Sequence, residues 1–580
     1  MLRGPRPFRD VSSDSFELAR VRRLSTIRAP LRAPAAVILA VVAALPMGGF
    51  SARPAAAQEA AHAMLDPLVP KGWVQLEVTP TFSSWAQRYG VSASGGTEVQ
   101  PLGADLTDPD GTGPFAGMSS LQSSLAALTG QSGFTPRLGA LSGAVSKNAT
   151  RVEAGARLGL FDWLTLGVMV PYVKTRTAID VAFRADSAGA NLGVSPTMTN
   201  AAAVSGLLGA LGNAASAAQA NADAACAGGA SVACSAAQDL LQRVSSFSTN
   251  LRQAYYATPF FPRDSSAMAT ALSASLASLD GDLTAAGLSP VGQPLVFATD
   301  VVDQATLQSL LTEPAAGIQG SSLQTVTGIW TLGDVELTAD VRLLQGEVRD
   351  SGSSTPRLAW SLTGGALVRL GTGQRGNPDI FLDVGSGDGQ TDLEGHVAAS
   401  LRLGSHLGLQ GGFRYGKQRP TVLLRRVAPP GEILAPAVSL RSVKWSPGDY
   451  TDLEVSPRFN LTPALGLAFD YRRFHKAADH YALTSNALQD VYPVDAAVLD
   501  RQTEVWLTEA AVGLRYNTTA LLREGRPGMP LELGLRVIWA AGGAGGQVPK
   551  ATRGELTVTL FHRLWGHEGQ RPPAPPKPTG

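Results

Sequence analysis

The sequence predicts an all-β transmembrane antiparallel barrel of about 12 strands, with a large, mainly α-helical extracellular insertion. Three observations predict it. Apolar and polar residues alternate strictly in bursts of about ten residues between Gly72 and Trp565. The N-terminus reads as an export signal. No later segment holds eighteen uninterrupted apolar residues, so strands rather than helices must do any spanning.

The export signal comes first along the chain. Arg22, Arg23, Arg28 and Arg32 form a basic region, Ala35–Leu45 is apolar, and Ala55-Ala56-Ala57 offers small residues for cleavage before Gln58. Residues 1–57 are therefore expected to be a leader and signal peptide. Arg22-Arg23 is not read as a twin-arginine signal, because a barrel precursor is exported unfolded. The 580-residue chain has a formal net charge of +1, with 16% charged residues and no concentrated basic surface, which argues against nucleic acid. Cys226 and Cys234 lie close together in an exported chain, so a local disulfide is expected, with two free thiols as the alternative.

Segment Asp334–Leu343 shows the strand signal most clearly: Val335, Leu337, Ala339, Val341 and Leu343 share one face, and Glu336, Thr338, Asp340 and Arg342 the other. An apolar face against lipid and a charged face toward an aqueous lumen produce this pattern. The first strand is Trp73–Ser84, followed by a Gly/Ser-rich connection to about Lys147. Arg151–Leu160 and Leu164–Tyr172 form a hairpin across Phe161-Asp162-Trp163, with Trp163 and Tyr172 suited to the two interfacial girdles. After Val335–Leu344 the pattern returns at Leu358–Leu370, Leu393–Leu403, Leu407–Tyr415, Leu453–Leu461, Leu465–Tyr471, Trp506–Tyr516, Leu531–Trp539 and Leu556–Leu564. Minimal turns at Phe161–Trp163, Gly404–His406 and Thr462–Ala464 are assigned to the periplasm. The long connections near 90–147, 185–330, 417–449 and 474–502 are assigned to the cell exterior. First barrel strands at 72–186, an insertion at 187–327 and remaining strands at 328–566 follow from this division.

The insertion changes period. Met198–Ala222, Ala236–Tyr256, Ala267–Ala286 and Ala305–Leu311 have helical spacing, with the cysteines at the turn between the first two. So long a connection either folds or carries function, as a cap outside or a plug in the lumen. The aromatic run at Tyr255, Tyr256, Phe260 and Phe261 suits either helix packing or recognition of an apolar solute. The tail at 567–580 is proline-rich and is expected to be extended.

Few motifs suggest chemistry. Gly371, Gly373 and Gly376 match a dinucleotide pattern by letters, but Asn377-Pro378-Asp379 leaves no helix to receive a pyrophosphate, so the segment reads as a loop. Asp383, Asp388 and Asp392 lack EF-hand spacing and read as loop solvation, with calcium as the alternative. His475 and His480 sit in no nucleophile motif, and no elbow serine is present, so no catalytic residue, metal or cofactor is assigned. The dense polar constellation is the predicted lumen. Its early members are Glu153, Arg157, Glu336, Asp340, Arg342 and Arg369, then Glu394, His396, Arg402 and Arg414. Glu454, Arg458, Asp470 and Arg472 continue it, followed by Glu509, Arg515, Glu532 and Arg536. Such charges either line a translocation path or neutralise one another in a narrow barrel. Their mixed signs argue against strong ion selectivity.

Gly159–Val173 (GLFDWLTLGVMVPYV), Leu332–Leu344 (LGDVELTADVRLL) and the Gly-, Asp- and Asn-rich Arg369–Gln390 together resemble a known family. It is the outer-membrane barrel proteins of the phenol meta-pathway degradation family, and more distantly the long-chain fatty-acid transporters. The resemblance implies a transporter-like barrel for small hydrophobic compounds and transfers no binding residue. Two departures stand out: the size of the helical insertion, and fifteen residues after Trp565 where an assembly signal would be terminal. The expected function is passive or facilitated passage of small solutes through a barrel in the bacterial outer membrane, with the insertion as gate or cap. The expected partners are outer-membrane lipid, the outer-membrane assembly machinery and a small-molecule solute. The alternative is a structural or adhesion barrel that displays the insertion and transports nothing.

Overall fold

The computed structural model describes residues 68–565 except 93, 187–188, 313–324, 352–355, 384, 430, 487, 490–491 and 519–528. The expected signal and leader at 1–57 and the proline-rich tail at 567–580 lie outside the described residues.

Twelve antiparallel strands close into a barrel. They are β1 (Trp73–Trp85), β2 (Gly139–Phe161), β3 (Leu164–Ala185), β4 (Val335–Val348), β5 (Leu358–Leu370) and β6 (Asp392–Leu403). The circuit continues with β7 (Leu407–Gln418), β8 (Tyr450–Asn460), β9 (Leu465–Lys476), β10 (Val505–Asn517), β11 (Leu531–Ala544) and β12 (Thr552–Arg563). Each strand pairs with its neighbour in sequence, and β12 returns to β1 with Trp73 opposite Arg563. The shortest joint is β3–β4, where only Glu336–Val341 meets Leu164–Met169; above it, Thr331–Leu332 and Val326–Thr327 pair with β3.

The register explains the alternation in the sequence. Val168, Leu337, Val397, Leu409, Leu453, Phe469, Leu514 and Leu535 are exposed on the outer face. In water that surface would be costly, and in a bilayer it is the favourable one. Phe161, Trp163, Trp360, Phe459 and Tyr516 ring the end with short turns, while Phe82, Tyr172, Tyr415, Tyr471 and Trp539 ring the other. Closure leaves no unpaired edge in the hydrocarbon, which a membrane sheet requires.

The strands β2 and β3 are far longer than their alternation predicts, at 23 and 22 residues. The reason is a change of environment along one hairpin. Its outer half no longer alternates charge with apolar residues on the inner face, because Leu141, Val145, Ile179 and Phe183 there are buried in a second core. That core belongs to a cap on the extracellular side, built from α1 (Met118–Thr129), α2 (Ala201–Cys226), α3 (Val232–Tyr256), α4 (Ala267–Ala285) and α5 (Gln304–Thr312). Helix α1 lies in a Gly/Ser-rich connection where no helix is predicted. A buried stripe on α2 (Val204, Leu207, Leu208, Leu211) meets Leu240, Val244, Phe247 and Leu251 of α3. Cys226 and Cys234 are disulfide-bonded at the α2–α3 turn. Ser231 and Ser266 cap α3 and α4 with their side chains.

In the aromatic run, Tyr255, Phe260 and Phe261 are fully buried in the cap, whereas Tyr256 is 61% exposed. Tyr255 stacks on Phe261 at 4.3 Å, and its hydroxyl donates to the Val296 carbonyl at 2.9 Å. Burial pushes this phenol above its ordinary pKa, so it remains a donor. Three of the four residues thus serve packing. Phe260→Ala should cost the cap about 3–5 kcal/mol. Limited trypsin digestion checks this: cleavage at Arg252 and Arg263 should accelerate, while the barrel keeps its heat-modifiable migration on a gel.

Candidate functional site: the barrel interior

The strand registers turn one face of every strand inward, and on that face charges meet across strands. Arg157 reaches Asp340 at 2.8 Å, and the other oxygen of Asp340 lies 2.7 Å from His396 Nε2. Glu394 continues the chain, accepting from Tyr450 Oη at 2.9 Å and from Arg414 at 3.5 Å. Arg369 bridges Glu336 and Asp392, both at 2.9 Å. On the opposite wall Arg472 joins Asp452 at 2.9 Å to Glu509 at 3.0 Å, and Arg553 also donates to Glu509 at 2.9 Å. Arg536 holds Asp470 at 3.3 Å together with Glu555, and Arg515 holds Glu532. Glu153 pairs with Arg151 at 2.6 Å, and Arg342 donates to Gln345 at 2.9 Å. Glu454 accepts from Ser456 at 3.4 Å. Arg402 and Arg458 meet no carboxylate or other hydrogen-bond acceptor among the described residues.

These belts have a physical cause. A charge inside a barrel wall loses much of its hydration, and an opposite charge at hydrogen-bond distance offsets that loss. Reading the alternation misses several partners: Asp452, Arg553 and Glu555 lie just outside the strands predicted from it. All three are in phase with the inward residues that follow them, and extending each strand by a few residues would have found them. Asp392, weighed with Asp383 and Asp388 as a calcium ligand, instead receives Arg369. Asp383 accepts from Asn377 N and Asp388 from Gln390 N, so the three carboxylates serve separate local partners.

Among the described residues, two cavities lie within the barrel interior. The upper, about 610 Å³, is bordered by Arg151, Glu153, Asp452, Arg472, Glu509 and Arg536. The lower, about 330 Å³, is bordered by Gln75, Glu77, Arg458, Arg515, Glu532 and Phe561. Arg414 and Glu454 border both. Ser386 also borders the upper cavity, because the β5–β6 connection (371–391) folds inward as a strap. Its Ser386 hydroxyl donates to Leu332 O at 2.7 Å, Asp334 accepts from Gly373 N and Asp388 N, and Lys147 Nζ donates to Leu382 O at 3.1 Å. Burial pushes the Asp388 carboxyl above its ordinary range. Phe381 and Leu382 pack against the helical core, so the strap joins barrel wall to cap. The Gly371–Gly376 segment forms part of this strap and leads into no helix.

At the periplasmic end, residues 68–71 run across the inner face of β2 and β3. Val69 N donates to Thr165 Oγ1 at 2.9 Å, and a Cβ on Gly159 would lie 2.0 Å from Pro70 O. Outside the interior, His475 stacks on Trp506 at 3.7 Å and hydrogen-bonds Glu504, and His480 hydrogen-bonds Asp500.

No protein-family model matches the sequence, and no curated protein is similar to it in sequence. Among solved structures, the chain is similar to an outer membrane channel from Pseudomonas putida F1, at 10% identity and a TM-score of 0.37, over 86% of this chain and 99% of that one. It is also similar to a FadL homologue of Pseudomonas aeruginosa (9% identity, TM-score 0.23, 88% of this chain and 93% of that one). A third is the CymD monoaromatic hydrocarbon channel (8% identity, TM-score 0.24, 89% of this chain and 92% of that one). The closed, even-stranded barrel with an apolar belt, aromatic girdles and a charged interior is the architecture of a bacterial outer-membrane protein.

Tyr450 provides a test of the interior packing. A Cβ on Gly416, its cross-strand partner, would lie 2.0 Å from the Tyr450 ring. Gly416→Ala should displace the ring from Glu394 and destabilise the barrel by about 1–3 kcal/mol. A lower temperature for loss of the heat-modifiable form measures it.

Proposed function

We propose that this protein passes small solutes across the outer membrane through its barrel interior, with the strap and helical cap setting access from outside. The observation that supports this best is the pair of cavities stacked along an ion-paired interior and sharing Arg414 and Glu454. An interior serving stability alone gains most from well-packed apolar groups; buried ion pairs are a poor source of stability. Charged walls around open volume instead keep a path wetted. Each belt is nearly neutral, which supports weak discrimination between cations and anions.

An apolar solute, as the family resemblance implies, finds its apolar lining between the cap and the outer connections. A cavity of about 830 Å³ where the cap meets the β7–β8 and β9–β10 connections is bordered by Tyr256, Val427, Pro429, Val438, Val494 and Val498, with Arg252, Glu432 and Asp495 at its polar side. In this reading the cap gathers solute and the interior conveys it. The strap is the element that must move, because Ser386 borders the upper cavity from inside the wall.

Planar-bilayer recording of the refolded full chain tests the proposal. Stepwise conductance with a reversal potential near zero in a salt gradient is expected. Shortening the strap by removing 376–383 should raise that conductance. Silence in both proteins, each still heat-modifiable, would favour a structural or display barrel.

A further inference from the structure

Arg402 and Arg458, which meet no hydrogen-bond acceptor among the described residues, lie in one row of the barrel. Across the sheet, Arg402 on β6 is opposite Gly408 on β7, and Gly408 is opposite Arg458 on β8. The row continues into Ala359 on one side and into Ala468 and Gly513 on the other. Small residues thus flank both guanidiniums, and the two backbones are roughly 10 Å apart, two strand spacings. The Nε of each is buried without a hydrogen-bond partner. On the β4 side the row reaches the carboxylate of Glu347, beyond Ala359, which is engaged by Arg349 at 2.8 Å; on the other side it reaches Arg536 and Glu555, which pair with each other. In the lower cavity Glu532 is held by Arg515, while Glu77 accepts from Gln75 and Thr79.

The next inward row toward the outside holds neutral hydrogen-bonding groups: Ser361, Ser400, Gln410 and Ser456. Of these, Ser400, Gln410 and Ser456 border the lower cavity beside Arg458. The contrast with the rest of the interior is sharp. Arg157, Arg369, Arg472, Arg515 and Arg536 each hold a carboxylate, whereas Arg402 and Arg458 hold none among the described residues.

From this we infer that Arg402 and Arg458, on either side of Gly408, form a binding site for a small oxyanion near the periplasmic end of the interior. The ligand is an organic carboxylate or a phosphate. Guanidinium donors match either group bidentately, and the serines and Gln410 supply further donors. An incoming anion would meet this row after the paired belts above. The inference deepens the proposed passage of solutes by naming a solute class, and it rests on that reading for its role but not for its binding.

Titration calorimetry on the refolded full chain in detergent micelles tests the site, with benzoate, inorganic phosphate and uncharged benzamide as probes. Saturable binding of benzoate or phosphate is expected, and none of benzamide; which anion binds identifies the source. Arg402→Gln and Arg458→Gln should each weaken binding by about 10–100-fold, and Arg458→Lys by less. Equal binding of benzoate and benzamide would overturn the inference. So would binding of neither anion, or wild-type affinity in both glutamine variants while they retain heat-modifiable migration. Anion binding by a protein that is silent in bilayers would support the site and remove the passage reading.

Discussion

Closure of the sheet between β3 and β4 is the constraint on which the rest depends. In hydrocarbon no water is available for an unpaired amide, so a twelve-strand sheet exists there only as a ring. The closing joint rests on six register positions, Leu164–Met169 against Val341–Glu336. Once it closes, every inward side chain shares one confined volume, and the charges must be solved together. The belts of Arg157 with Asp340, Arg472 with Asp452 and Glu509, and Arg536 with Asp470 and Glu555 are that solution.

The solution also locates what is unusual. Most interior cations are neutralised by a neighbour one or two strands away, which leaves open volume but little net field in the upper cavity. The row of Arg402, Gly408 and Arg458 departs from this. Glycine and alanine beside the two cations create space and supply no countercharge. A narrow barrel that had only to stabilise itself would carry apolar residues in place of two such uncompensated cations.

Much of the barrel was legible because one physical rule acts on each strand independently. Lipid on one side and water on the other write period two into the sequence, and neither depends on partners far away. The predicted and observed ends of β5 coincide for that reason. The rule lapses at the membrane surface, so Asp452 and Glu555 fell outside the predicted strands. The outer halves of β2 and β3, buried against helices, carried no such signal. Helix α1 hid in a Gly- and Ser-rich stretch, where its buried Leu121, Leu125 and Leu128 are too few to announce a period. The inward strap was illegible because long-range contacts such as Ser386 with Leu332 and Lys147 with Leu382 determine it. Pairing partners inside the barrel had the same obstacle: alternation gives the face, while register decides who meets whom.

The extended β2–β3 hairpin belongs to two cores at once. Below, Arg157 and Glu153 join the charged interior; above, Leu141, Val145, Ile179 and Phe183 complete the apolar centre of the cap. The helical unit therefore lacks one wall until this hairpin has crossed the membrane and risen beyond it. Without that hairpin the helices are amphipathic segments with one apolar face uncovered. An apolar surface left open is an aggregation hazard, so the stability of the cap is tied to that of the barrel strands that cover it.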